Sequence, residues 1–98
     1  MDYKIIFSDP SIEDLKNIVR FIAQDNPDAA ARFGAKLIES VRNLSTFPRL
    51  GRVIPEKKDE DIREIVFKSY RIFYRVKGGD HTIEIVRFWH AARGEAKL

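Results

Sequence analysis

The sequence predicts an α+β fold in which a short strand is followed by an antiparallel helical hairpin and then by a three-strand antiparallel meander. Two stretches of helical periodicity lie between residues 9 and 44. Only two or three residues separate them, which forces the two helices to fold back on each other. Apolar and polar residues then alternate from residue 62 to residue 90. The 98 residues are expected to form a single domain over 1–98.

Specific residues mark the starts of the first three elements. Alternating apolar residues at positions 3–7 predict the first strand. Asp9 is the expected N-cap of the first helix and Pro10 its first residue, because proline suits that position. Asn26 and Pro27 repeat the same signal for the second helix. The buried stripe predicted for the second helix consists of Ala30, Phe33, Leu37, Val41 and Leu44.

Gly34 lies within the second predicted helix, where a glycine costs about 1 kcal/mol relative to alanine. Close packing of the two helices is one reason for a glycine at this position. We therefore expect the helices to approach each other closely near Gly34.

The meander follows an irregular segment, residues 46–61, which is either a plain connector or a functional loop. On the central strand, Tyr70 and Ile72 are expected to face the helices, whereas Arg71 faces away. The last strand is expected to alternate without interruption: Ile83, Ile85, Arg87 and Trp89 on one face, and Glu84, Val86 and Phe88 on the other. Because the helices cover one face, the arginines of the strands are predicted to line the opposite, open face.

Composition restricts the function classes. The net charge is +3, but residues 1–48 hold six Lys and Arg against seven Asp and Glu, while residues 49–98 hold twelve against eight. The second half is therefore the better candidate for an anionic partner. The chain has no cysteine, so neither disulfides nor thiolate metal sites are available. No long apolar segment or export signal is evident, so we expect a cytoplasmic protein without a membrane partner.

Three segments carry a resemblance to a known family. FPRLGRVIPE, IREIVFKSYRIFYRV and IEIVRFWHAAR follow one another in an order similar to that of the ParE/RelE superfamily of bacterial toxins. There, a Phe-Pro loop ending in Pro-Glu precedes an arginine-bearing strand, a Tyr-Arg-Ile-x-Tyr strand follows, and the last strand closes with His-x-x-Arg. The resemblance covers nearly the whole chain. The matching residues are Phe47, Pro48, Gly51, Pro55, Glu56, Arg63, Tyr70, Arg71, Ile72, Tyr74, His90 and Arg93.

The resemblance implies the toxin of a toxin–antitoxin pair, with a small cognate antitoxin as partner, in a homodimer or a toxin–antitoxin heterotetramer. The antitoxin is expected to cover grooves around Phe21 and Ile38. The superfamily has two activities, and the FPRLGR segment and the His90-x-x-Arg93 ending are closer to ParE, whose members inhibit DNA gyrase. In that case, complementary surface makes the contact with the target. The contacts expected in that case are Arg71, Arg87 and Arg93. For either activity, the residues expected to bind the target or a nucleic acid are Arg49, Arg52, Arg63, Arg71, Arg87, Trp89 and Arg93.

The alternative is a RelE-like endonuclease that cuts mRNA on the ribosome. Metal-free cleavage needs a base for the 2′-hydroxyl, a cation for the phosphorane and an acid for the leaving oxygen. Glu56, Arg71 and His90 could supply these services in that order. Neither activity implies a metal or another cofactor. A third interpretation is a degenerate member that only binds its partner.

Each candidate residue also has a structural interpretation. Arg71 could pair with Glu64 or Glu84 across the sheet, in an ion pair that stabilises by only about 0.2–1 kcal/mol. His90 could cap the end of its strand, and Trp89 could pack in a core instead of stacking on a base.

Overall fold

A computed structural model describes residues 2–96 and 98, apart from the side chain of Glu56. It contains two α-helices, four three-residue 3-10 helices and five strands in this part of the chain. In chain order the elements are β1 (Lys4–Phe7), α1 (Asp9–Ala23), α2 (Pro27–Arg42), β2 (Arg52–Val53), β3 (Ile62–Phe67), β4 (Tyr70–Lys77) and β5 (Thr82–His90). Neither helix is long and apolar enough to cross a membrane.

The five strands form one mixed sheet in the order β1-β5-β4-β3-β2. β1 runs parallel to β5 at one edge, and the other neighbours are antiparallel. The predicted strand, helical hairpin and meander are therefore confirmed. The sequence did not predict β2, because two residues are too few to show an alternating pattern.

The N-cap of α1 is Ser8, so the prediction of Asp9 was wrong by one residue. Ser8 Oγ accepts a hydrogen bond from the Ser11 amide at 3.1 Å and donates one to the Val86 carbonyl at 2.9 Å. Serine and aspartate are both good caps, and the contact with β5 favours the serine. Asn26 caps α2 as predicted, since its Oδ1 accepts a hydrogen bond from the Ala29 amide at 3.0 Å.

The two helices pack closely, as the glycine in α2 indicated. A Cβ added at Gly34 would lie 3.0 Å from Val19 Cγ2 of α1. The face of α2 that meets the sheet is buried at Leu37 and Val41, and Leu44 continues it just beyond the helix. These residues join apolar side chains of β4 and β5 in the main core, which lies between the helices and the sheet.

A bulge in β5 overturns the expected alternation of that strand. Phe73 pairs with Arg87 and Tyr74 pairs with Ile85, so Val86 is an extra residue without a partner on β4. The extra residue reverses the period-two pattern, so that Phe88 lies in the core beneath the helices. Trp89 lies on the open face in a second apolar cluster with Ile54 and Phe73. As predicted, Trp89 and Phe88 lie on opposite faces of the sheet. However, it is Phe88, and not Trp89, that shares the helix-covered face with Ile83 and Ile85.

The loop before β2 is fixed to the sheet through one tyrosine. Tyr74 donates its hydroxyl hydrogen to the Pro48 carbonyl at 2.8 Å and accepts a hydrogen bond from the Gly51 amide at 2.8 Å. Burial raises the pKa of the Tyr74 hydroxyl, against smaller opposing effects from the Gly51 hydrogen bond and nearby arginines, so the group stays protonated and able to donate. The loop therefore has a fixed position beside β3.

Gly51→Ala should strongly destabilise the fold. Its Cβ would lie 2.5 Å from the Glu64 carbonyl oxygen and 2.7 Å from the Tyr74 hydroxyl oxygen. We expect the free energy of unfolding, measured by urea denaturation, to fall by about 1–3 kcal/mol because this backbone has no room to yield. Gly78→Ala is the control, since its Cβ would meet nothing within 4 Å. Equal stability of the two variants would contradict the prediction.

Candidate functional site on the open face of the sheet

A buried carboxylate organises the open face. The Glu64 side chain is only 1% exposed, although it lies on a strand near the edge of the sheet. Its Oε1 accepts from Arg52 Nε at 2.7 Å and lies 2.6 Å from Arg52 Nη2. Its Oε2 accepts from Arg71 Nε at 2.7 Å and lies 2.7 Å from Arg71 Nη2. Each carboxylate oxygen is therefore bound by one arginine. Hydrogen bonds of this kind, between two charged groups, are stronger than those between neutral groups.

The strand register produces this arrangement. Arg52 of β2 pairs directly with Glu64 of β3, and Arg71 of β4 pairs with Val66, two residues further along β3 on the same face. Of the two partners that the sequence left open for Arg71, the structure selects Glu64. Arg71 also places its guanidinium carbon 4.8 Å from the Phe73 ring centre, so its orientation is fixed on two sides.

Trp89 forms the second feature of the open face. Its ring lies under the guanidinium of Arg93, whose Cζ is 3.8 Å from the ring centre, and Arg87 Cζ is 5.1 Å away. The indole Nε1 donates to the Gly94 carbonyl at 3.1 Å, which holds the chain after β5 against the sheet. Trp89 is almost fully buried, so it packs and does not offer a free ring for stacking on a base.

Arg87 lies on the open face beside Trp89, because it pairs with Phe73, but its guanidinium is bound by a carboxylate of α1. Its Nε and Nη2 donate to the two Asp14 oxygens of α1, at 2.6 and 2.8 Å. The hydrogen bond that Arg87 donates to Asp14 raises the pKa of Arg87, so its guanidinium stays charged. The same carboxylate accepts from the Phe88 amide at 3.1 Å. Asp14 was missed in the sequence because it is 73 residues from Arg87 and nothing local marks it.

Arg63 does not lie on the open face, although it was predicted there. It pairs with Tyr74, whose side chain points towards the helices. Its guanidinium donates to the Gly51 carbonyl at 2.9 Å and to the Glu60 carbonyl at 3.0 Å. Arg63 therefore holds the loop in place. Arg49 lies in the same loop at the surface, where its Nη2 is 3.3 Å from Asp61 Oδ1.

The structure separates two of the three predicted nuclease residues. Tyr70 pairs with His90, and Arg71 pairs with Trp89, so Arg71 and His90 point to opposite faces of the sheet. His90 packs edge-on against Tyr70, with ring centres 5.0 Å apart, and its Nδ1 accepts from the Ala92 amide at 3.0 Å. Glu56 lies in the short helical turn Pro55–Lys57, but its side chain is outside the described part of the structure.

A cleft of ≈ 470 Å³ lies over Arg71 on the open face. Ile54 and Phe73 give it an apolar floor, and Arg71 and Lys57 give it positive charge. The chain after β5 forms its remaining wall. In the described part of the chain no group of three or more His, Cys, Asp and Glu could hold a metal ion. The wall after β5 includes one carboxylate, Glu95, against the two cations, so the cleft is suited to an anionic or amphipathic partner.

Glu64→Gln should cost stability because one amide cannot replace a carboxylate between two guanidinium groups. Its NH₂ would face a donor from Arg52 or Arg71. We expect the free energy of unfolding to fall by about 1–3 kcal/mol in denaturant titrations. The control is Glu39→Gln, which breaks an exposed pair with Arg42 and should change stability by less than about 1 kcal/mol. A Glu64→Gln protein as stable as the control would show that the buried pair contributes little.

Known proteins match this chain along most of its length. A family model described as the ParE toxin of the type II toxin–antitoxin system parDE matches residues 5–94. Toxin RelE1 of Caulobacter vibrioides is 26% identical over 90 residues, which span 92% of this chain and 95% of that protein.

Two solved structures have a similar fold. The chromosomal ParDE system of P. aeruginosa gives a TM-score of 0.73 at 20% identity and covers 90% of this chain and 95% of that chain. The RelBE2 toxin–antitoxin complex of Mycobacterium tuberculosis gives a TM-score of 0.67 at 22% identity and covers 92% of this chain and 99% of that chain. At these identities the structures support only the fold, and the assignment to a family comes from the family model. The chain therefore belongs to the ParE toxin family and is the toxin component of a type II toxin–antitoxin system.

Proposed function

We propose that this toxin inhibits DNA gyrase through a protein–protein contact, and that it acts in the cytoplasm under the control of a cognate antitoxin. One observation carries the choice of gyrase over RNA cleavage. Arg71 and His90 lie on opposite faces of the sheet, so a single phosphate cannot be in contact with both. A metal-free cleavage that needs a cation and a proton donor at the same phosphate is not supported by that arrangement.

The two groups are also already engaged. Arg71 contacts the Glu64 carboxylate through both Nε and Nη2, and His90 Nδ1 accepts a hydrogen bond from the Ala92 amide. A group held in this way keeps a fixed position, which suits surface recognition better than proton transfer. The family match to ParE toxins agrees with this choice.

The open face after β5 is the surface that we assign to the target. Arg93 is exposed and is held over the Trp89 ring at 3.8 Å, so it is a cation with a fixed direction. Arginine held over an aromatic ring loses less side-chain entropy on binding than a free one, and such residues often dominate an interface. Arg52 is a second exposed cation on the same face, since its side chain is 66% exposed.

We propose a second surface, separate from the one for the target, for contact with the antitoxin. Phe21 on α1 is highly exposed, and it borders a shallow cleft of ≈ 190 Å³ with Ile18 and His90. An amphipathic helix of the antitoxin could bury this aromatic side chain. The related structures that are toxin–antitoxin complexes support such a partner in general terms.

Arg93→Ala should weaken gyrase inhibition. A supercoiling assay with purified gyrase should show that the variant needs about tenfold more protein for half-inhibition, which is typical of an interface arginine. Arg42→Ala is the control, because Arg42 is another exposed arginine, at the end of α2, and should behave as wild type. Full supercoiling at saturating wild-type toxin would exclude gyrase as the target.

RNA cleavage remains a second candidate because of two observations. The relative from Caulobacter vibrioides is named RelE1. In addition, Arg71 and Lys57 line the same open-face cleft, where together they could bind an RNA phosphate. In this version His90 takes no part in the chemistry.

Primer extension on translated messages tests the second candidate. If the toxin is a nuclease of this kind, Arg71→Ala should reduce cleavage by about 10²-fold or more, as expected for loss of a cation at the reacting phosphate. His90→Ala should leave cleavage unchanged. The gyrase proposal instead expects no toxin-dependent cleavage with wild type.

A further inference from the structure

A short turn follows β5 at the end of the sheet, and this turn carries Arg93. The ladder between β4 and β5 ends where Tyr70 pairs with His90. The next three residues, Ala91–Arg93, form a single turn of 3-10 helix. Arg93 is the last residue of this turn, so its direction depends on how the turn is held.

Backbone hydrogen bonds hold the turn at both ends. The Ala91 amide donates to the Ser69 carbonyl, in the connection between β3 and β4, at 2.8 Å. The Gly94 amide donates back to the Ala91 carbonyl at 3.3 Å. Gly94 has φ 79° and ψ −146°, a conformation that only glycine adopts readily, so the turn ends there. The Ala92 amide lies in the first turn of a helix, where a backbone N–H needs an acceptor from outside the helix.

The side chain of His90 supplies that acceptor. His90 has extended backbone angles, φ −68° and ψ 129°, as is typical of an N-cap residue. Its Nδ1 accepts a hydrogen bond from the Ala92 amide at 3.0 Å. An imidazole nitrogen accepts only when it carries no hydrogen, so this contact requires the neutral ring with its hydrogen on Nε2. His90 therefore acts as the N-cap of the turn.

The spacing of His90 and Arg93 follows from the geometry of the turn. A 3-10 helix has three residues per turn, so the residue three positions after the cap completes one turn. Arg93 is that residue, and its Cζ lies 3.8 Å from the centre of the Trp89 ring. The indole Nε1 donates to the Gly94 carbonyl at 3.1 Å. The cap, the turn and the indole thus form one unit that sets the position of Arg93.

Packing of the His90 ring is the competing explanation for a histidine at this position. The ring lies edge-on against Tyr70, with ring centres 5.0 Å apart. Such a contact requires an aromatic ring but no nitrogen acceptor. Substitution can separate the two roles, because asparagine places an oxygen where the histidine has Nδ1 and yet has no ring.

We infer that His90 is a positioning residue for Arg93, and that it acts by capping the turn Ala91–Arg93 through Nδ1. Loss of the cap leaves the Ala92 amide to water, so the turn opens more often and the Arg93 guanidinium leaves the Trp89 ring. This role requires no contact between His90 and the target. The inference rests on the proposed function only for its effect on gyrase inhibition.

Nitrogen-15 NMR of the unmodified chain tests the cap without any substitution. At mildly alkaline pH a histidine ring is neutral and carries one hydrogen. The His90 signals should show an unprotonated Nδ1 and a protonated Nε2. A ring with its hydrogen on Nδ1 overturns the inference, whatever the variants do.

Trp89 reports directly on the position of Arg93. It is the single tryptophan of the chain, so tryptophan fluorescence describes the ring that Arg93 covers. Arg93→Ala uncovers this ring and sets the reference for quenching by acrylamide. His90→Gln should approach that reference, because the glutamine oxygen lies one bond further out and cannot replace Nδ1. His90→Asn should match the wild type, because asparagine is a favoured N-cap.

The same variants show whether the cap affects inhibition. In the supercoiling assay, His90→Gln should need about fivefold more protein for half-inhibition, which is the population change expected from the loss of one cap. His90→Asn should inhibit as the wild type does. His81→Asn is the control, since it removes the other histidine, at the opposite end of β5, where the φ of 54° is one that asparagine tolerates. It should leave the quenching and the inhibition unchanged.

Thermal unfolding checks that each variant is folded. If His90→Gln is quenched no more than the wild type, the inference is overturned and the gyrase proposal is unaffected. Equal changes in His90→Gln and His90→Asn would assign the effect to the ring packed on Tyr70, which also overturns the inference. If the fluorescence changes as expected but the wild type does not inhibit gyrase, the capping role stands and the proposed target fails.

Discussion

Burial of the Glu64 carboxylate is the constraint on which the open face depends. A carboxylate removed from water is very unfavourable unless charged donors satisfy it, so both Arg52 and Arg71 must stay in contact with it. This fixes Arg71 over Phe73 on the central strand. It also holds the short strand β2 against β3, since one of its two residues is Arg52. One buried charge thus sets the positions of two cations and of an edge strand.

Internal contacts explain why an arginine-rich sheet does not offer a row of free cations. Three of the arginines that were predicted to bind a target are committed to internal contacts: Arg71 to Glu64, Arg87 to Asp14 and Arg63 to the loop carbonyls. The exposed cations that remain lie at the margins of the sheet, at the end of β5 and beside β2. Recognition by this toxin is therefore expected at edges and clefts more than at the centre of the sheet.

Two of the described surfaces share a residue. The face after β5 carries Arg93 held over Trp89. The groove beside α1 carries exposed Phe21. Arg93 also lines the groove beside Phe21, so an antitoxin bound in that groove would contact the surface proposed for the target.

The sequence by itself determined the order of the elements, the helical hairpin, the cap of α2 and the two-sided central strand, because these follow from local periodicity, caps and short connections. It also carried the resemblance to the ParE/RelE toxins, which the family match confirms. Only the tertiary structure decided which arginines are free and on which face each candidate residue lies. The bulge at Val86 changes the face of every later residue in β5, and the Asp14–Arg87 pair joins positions 73 residues apart. Neither event leaves a local pattern, because each depends on contacts between elements that are distant in the chain.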